Sequence, residues 1–250
     1  MITDESREMM GMTITVEIAD NVFDPEIFKK AFDYFKYVDE KFSLFKETSE
    51  ISLINKKQIL PNKFSDDMKE VFELSEKTKK ETNGFFDIET SEGLNPTGLV
   101  KGWAIKKAAD ILRKEGIKNF YVNAGGDAET SGNNKEGKPW SVGIRNPFNY
   151  EKEVVKVVYI KDKGIATSGS YIKGAHIYNP LKKDESLDKI LSMTVIGPNV
   201  YEADRFATAT FAMGENGINF IEKLEGFEGY MINSKGIATM TSGFNKYTNV

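Results

Sequence analysis

In EADRFATA, residues 202–209, Asp204 and Thr208 stand four apart. On a helix that spacing puts a carboxylate and a hydroxyl on one face, one turn apart. Two oxygens so placed could serve a hard cation such as Mg2+, which takes one or two carboxylates with other oxygens and a substrate phosphate. The plainer reading is an exposed carboxylate near a helix start and a threonine bonded back to its own helix; the spacing leaves both open. PTGLVKG, residues 96–102, sets two glycines and Lys101 at a helix start, where free amides and the helix dipole favour an anion. It departs from the G-x-x-x-x-G-K-[ST] pattern, which argues against a P-loop fold. NAGGD, residues 123–127, offers Asn123 and Asp127 around two glycines that would let a ligand approach the backbone. A glycine-rich turn between strands explains it equally well.

His176, in HIYNP at 176–180, is the single histidine of the 250 residues, and there is no cysteine. A zinc site by the usual ligand sets is therefore excluded. A lone histidine is commonly a hydrogen-bonded structural residue, but its ordinary pKa also suits proton transfer. A Ser-His-Asp hydrolase could use Ser168 or Ser170, yet the G-x-S-x-G elbow is missing.

Net charge is -4, and only Arg7, Arg113, Arg145 and Arg205 are arginines among 34 basic side chains. This balance argues against a nucleic-acid surface as the main purpose. A phosphate ligand would have few guanidinium clamps and would lean on backbone amides, lysine or a metal ion. The polar start MITDESREMMG lacks an apolar signal core, and no apolar run reaches about 18 residues. The expectation is a cytoplasmic protein that does not span a membrane.

The elements that must position these groups are mixed. MTITVEI, 12–18, alternates in period two and predicts a strand. Asp24 and Pro25 open an amphipathic helix whose stripe is Ile27, Phe28, Ala31, Phe32, Phe35 and Val38. SLFKETSEISLINKK reads as a loop, and a second helix starts near Ser65 and stops at TNG, 82–84. LVKGWAIKKAADILRKEG predicts a third helix and NFYVNAG a strand after it. GGDAETSGNNKEGKP reads as a hairpin connection, WSVGI, EVVKVVYI and SMTVIG as strands, and EADRFATATFAMG and GINFIEKLEG as helices. GYMINSKGIATM predicts a terminal hairpin turning at NSKG. Helices with several antiparallel hairpins point to an α+β body of two lobes, residues 1–250 forming one domain.

Taken in order, MMGMTITVEI, FSLFKETSEISLIN, TNGFFDIE, GLVKGWAIKKAADIL, FYVNAGGDAETSG, WSVGIRNP, IATSGSY, HIYNP and TVIGPNVYEADRFATATFAMG resemble the ApbE family, the FAD:protein FMN transferases. The resemblance covers nearly the whole chain. It implies a T-fold-like α+β core with an FAD cleft between lobes. It also implies Mg2+-dependent transfer of the FMN moiety of FAD to a Ser or Thr hydroxyl of an acceptor redox protein carrying a flavinylation motif, with AMP released. FAD hydrolysis to FMN and AMP, and flavin binding without turnover, are the alternatives. By resemblance the Mg2+ ligands are Asp204, Thr208 and the backbone at Gly98, and the catalytic residues are His176 and Asp204. Met10, Phe45, Phe86, Asp87, Asn95, Lys101 and Tyr178 fall where family members meet FAD. The chain departs from the family in having Asn95 and Asn179 where Asp is frequent, Lys106 where a second Asp is frequent, and Phe45 for a frequent Tyr. Each asparagine keeps hydrogen bonding and loses charge.

Overall fold

The computed structural model describes residues 4–21, 24–149, 151–170, 178–182 and 187–248. Strand β2 (Met12–Ile18) forms as its alternation predicts, burying Ile14, Val16 and Ile18. It pairs antiparallel with β1 (Asp4–Met9), a strand the sequence pattern does not predict. The reason is that β1 is an edge, and its sequence DESREM is rich in charge of the kind that discourages further pairing.

Helix α1 (Pro25–Phe42) starts where expected, with the Asp24 carboxylate accepting from Glu26 N at 2.9 Å, and buries the whole predicted stripe. The loop reading then needs correction: Glu50–Asn55 is a short helix, α2, capped by Ser49. Six residues are too few to show a helical period. The helix matters because Asn55 acts as a surrogate peptide, accepting from Leu94 N at 2.8 Å and donating to Leu94 O at 3.0 Å. Helix α3 (Asp66–Glu81) is capped by Ser65, and two short strands, β3 (Glu89–Thr90) and β4 (Gly93–Leu94), lead into helix α4 (Thr97–Lys114). Strand β5 (Phe120–Ala124) follows.

The supposed hairpin connection contains a strand, β6 (Asp127–Ser131), with four of its five residues buried. Beyond it come the hairpin β7 (Trp140–Arg145) and β8 (Val154–Ile160), then β9 (Gly164–Gly169) and β10 (Ile190–Gly197). Helix α5 (Val200–Ala212) begins two residues earlier than EADRF suggests, and α6 (Gly217–Ile221) is half its expected length. The terminal hairpin is β11 (Glu228–Asn233) and β12 (Ala238–Met240), turning as predicted.

Eight strands form one antiparallel sheet in the order β1-β2-β5-β6-β9-β10-β11-β12. Period-two alternation divides its faces. Met193, Val195 and Met231 pack under α5 and α6, whereas Ile196, Tyr230, Ile232 and Ala128 face Val142, Ile144, Val158 and Ile160 of the β7–β8 hairpin. A second helix-side cluster gathers α1, α2, α3 and α4 over β2 and β5. The α+β expectation, with antiparallel sheets and packed helices, therefore holds. The two helix-backed halves meet where β6 pairs β9 and where α4 lies along α5. Among the described residues no helix is long and apolar enough to cross a membrane.

Candidate active site

Antiparallel register gathers the candidate groups at one end of the sheet. The β1–β2 turn, the β5–β6 turn and the C-terminal end of β9 lie at that end, because Met9 pairs Met12, Ala124 pairs Asp127, and Ala128 pairs Ile165. NAGGD is indeed the β5–β6 turn: Gly125 and Gly126 have φ of 63° and 108°, and Asn123 Oδ1 accepts from Gly126 N at 3.3 Å. Asp127 is more than turn chemistry, since Ala128 faces the β7–β8 hairpin and its neighbour must face the helices.

Above this end α4 and α5 approach closely, and glycine makes the approach possible. Gly98 and Gly102 stand one turn apart on α4, as Val200, Asp204 and Thr208 do on α5. A Cβ at Gly102 would lie 2.6 Å from Asp204 Cβ and 2.8 Å from Val200 O, and one at Gly98 would lie 2.9 Å from the Thr208 methyl. Asp204 is consequently 3% exposed, not a surface carboxylate, and its Oδ2 accepts from Gly102 N at 2.7 Å. Thr208 bonds across to the neighbouring helix: its Oγ1 donates to Gly98 O at 3.0 Å, with Ser168 Oγ of β9 at 3.4 Å. The plainer reading of the Asp204/Thr208 pair is thereby overturned. Gly102→Ala should force the helices apart, cost about 1–3 kcal/mol as overpacking does, and weaken any cation response. Thermal midpoints with and without Mg2+ would measure both, and an unchanged midpoint would refute the close approach.

Lys101 completes the cluster. Its Nζ lies 2.5 Å from Asp127 Oδ2 and 3.9 Å from Asp204 Oδ1, while Asp127 Oδ1 accepts from Thr167 N at 2.9 Å. One ammonium thus faces two buried carboxylates. Burial pushes the Asp204 carboxyl up to about 7, and the neighbouring Asp127 charge pushes the same way against Lys101 and the Gly102 amide. Such a carboxylate is stabilised by additional positive charge.

The donors fit a hard divalent cation. Gly98 O, Thr208 Oγ1 and the Asp204 carboxylate are all oxygens, and Gly98 and Thr208 are half-buried. The Thr208 to Gly98 oxygen separation is 3.0 Å.

The other predicted residues fall into three places. Phe86, Asp87, Asn95 and Tyr178 surround the start of α4. The buried Phe86 ring lies under Gly98, where an added Cβ would come within 3.3 Å of it. Asn95 Oδ1 accepts from Thr97 N at 3.1 Å and Thr97 Oγ1 at 2.6 Å, an anchoring role at the helix entry. Tyr178 donates its hydroxyl to Asp87 O at 2.9 Å, and the Asp87 carboxylate is paired with Lys79 at 2.7 Å. Met10 occupies the β1–β2 turn with φ 54°, and Phe45 stands in the loop after α1, 99% exposed. His176 lies outside the described residues. Site residues that sequence reasoning underweighted are Asp127, which NAGGD had singled out without assigning it, Gly102 and Ser168.

The sequence profile described as the ApbE family matches residues 10–95 and 89–231. A curated relative from Klebsiella pneumoniae, named FAD:protein FMN transferase, is 34% identical over 144 residues, 54% of this chain and 41% of the relative. One of the same name from Vibrio cholerae is 32% identical over 125 residues, 47% of this chain and 37% of the relative. These alignments span less than half the length of either relative. The solved flavin transferase ApbE from Vibrio cholerae superposes with a TM-score of 0.83 at 21% identity, covering 98% of both chains. The apbe protein of Thermotoga maritima superposes at 0.85 with 19% identity, covering 99% of both. At those identities the superpositions speak for the fold.

Proposed function

The chain belongs to the ApbE family, and from that premise we propose that it transfers the FMN moiety of FAD to a Ser or Thr hydroxyl of an acceptor protein. The acceptor oxygen forms a bond to the FMN-side phosphorus, the bond from that phosphorus to the bridging oxygen breaks, and AMP leaves. The observation that carries this reading is the convergence of Asp204, Thr208 and the Gly98 carbonyl beside the Lys101 ammonium. Those three groups would hold Mg2+, which when bound neutralises phosphate charge. Lys101 at the opening of α4 would take a share of the remaining charge.

The proton of the acceptor hydroxyl goes to His176 in this reading. Support comes from the capacity of an imidazole side chain for proton transfer and from the engagement of Asp204, which already accepts from Gly102 N. Met10, Phe45, Asp87, Asn95 and Tyr178 would flank FAD, with Phe86 supporting Gly98 from beneath. The exposed Phe45 ring offers a face on which a flat ring system can stack.

Incubation with FAD, Mg2+ and a candidate acceptor domain tests the assignment. The expected result is an acceptor heavier by one FMN moiety, with AMP in solution. Free FMN and AMP with an unmodified acceptor would replace transfer by hydrolysis, and intact FAD would overturn both in favour of a flavin carrier.

A further inference from the structure

We propose that Asp127 is a positioning residue that holds the Lys101 ammonium away from Asp204, keeping Asp204 available to a cation and Lys101 aimed at the phosphates; this rests on the flavin-transfer reading above. Asp127 is the first residue of β6 and is 1% exposed. Its carboxylate is engaged on both sides. Oδ1 accepts from Thr167 N of β9 at 2.9 Å, which fixes its plane to the sheet, and Oδ2 meets Lys101 Nζ at 2.5 Å. Helix α4 packs on β5 and β6, so the ammonium and the carboxylate that holds it stand on elements in direct contact.

The arrangement answers a specific competition. Asp204 Oδ1 is only 3.9 Å from the same ammonium. Its other oxygen is occupied by the Gly102 amide. A lysine that closed on Asp204 would neutralise the carboxylate the cation needs and would turn its own charge away from substrate. Lysine has a flexible stem and loses rotamer freedom when fixed. Asp127 supplies that fixation in the folded protein before any ligand arrives, which is the condition for a preorganised charge to favour a transition state.

Isothermal titration of the full chain with Mg2+, FAD absent, separates positioning from plain charge. Asp127→Asn keeps the shape and the bond to Thr167 N, and it relieves repulsion with Asp204, so the fold should persist; circular dichroism and the thermal midpoint check this. The expected pattern is Mg2+ binding weakened about tenfold in Asp127→Asn, as loss of close electrostatic coupling gives. Lys101→Met should leave it unweakened, and Lys101→Met with Asp127→Asn should regain the Lys101→Met affinity. An equal loss from Asp127→Asn in both backgrounds would mean that Asp127 acts only by its charge and would overturn the proposal. Absence of Mg2+ binding by the unmodified chain would overturn it together with the cation site. Failure of flavin transfer with the coupling intact would instead sink the functional reading alone. Where transfer occurs, Asp127→Asn should lower kcat by about 100-fold, the scale of a misaligned charge, with a smaller change in KM for FAD; parallel changes would argue for a merely structural role.

Discussion

Asp204→Asn should lower Mg2+-dependent flavin transfer by about a thousandfold or more, the scale reached when one preorganised charge or Lewis-acid ligand is lost. The substitution is nearly isosteric, and the amide oxygen can still accept from Gly102 N, so the helix contact should survive. What disappears is the charge. The same residue makes a second expectation about stability. Burial raises the folded pKa of Asp204 from 3.8 to about 7, so the folded chain holds a proton that the unfolded chain has released. In that interval stability falls as pH rises, because the native state binds more protons; the penalty is absent below the unfolded value and complete above about 7. Without divalent cation, the thermal midpoint should therefore carry a downward contribution between pH 4 and 7. Mg2+ at pH 8 should recover it, since an ion that binds only the folded chain stabilises it. Asp204→Asn should flatten both responses. Full transfer activity in the variant, or an undiminished Mg2+ shift of its midpoint, would show that the cation is held elsewhere.

Gly164→Ala is expected to be the most damaging single methyl in the molecule's centre. Gly164 pairs with Glu129 on one side and Gly197 on the other, and the start of α5 rests directly on it. An added Cβ would lie 1.9 Å from Val200 N and 2.1 Å from Asn199 C, contacts with backbone that no side-chain rotation can relieve. Helix α5 would have to lift. Lifting it breaks the bond from Val200 N to Glu129 Oε2, 2.7 Å long, leaving the buried Glu129 carboxylate with Arg113 alone. Overpacking at roughly 1–3 kcal/mol or more and an under-satisfied buried carboxylate at another 1–3 kcal/mol or so together take a large part of the about 5–15 kcal/mol that holds a domain. The denaturation midpoint should fall steeply, and Mg2+ should stabilise the remainder poorly because Asp204 and Thr208 ride on the displaced helix. A denaturation midpoint matching the unsubstituted chain would mean that α5 does not rest on Gly164.

Some of this was legible in the residues themselves. Asp24-Pro25 and the stripe from Ile27 to Val38 specify α1 because capping and apolar period are local properties, read within a few turns. The pairing of Asp204 with Thr208 needs only the helix repeat, and the family follows from the order of motifs along the chain. Tertiary structure decided the rest. Strand β6 has a buried helix-facing side made of Asp127 and Glu129, so it carries no apolar alternation and reads as a turn. Those carboxylates are tolerable inside only because Lys101, Arg113, Thr167 N and Val200 N reach them from other elements. Nothing within DAETS announces these partners. In the same way, PTGLVKG suggested an anion site at a helix start, but only the packing of α4 on α5 brings the Gly98 carbonyl to Thr208 and the Gly102 amide to Asp204. Local sequence could name the oxygens; long-range backbone register and a glycine-lined helix contact determined which of them meet.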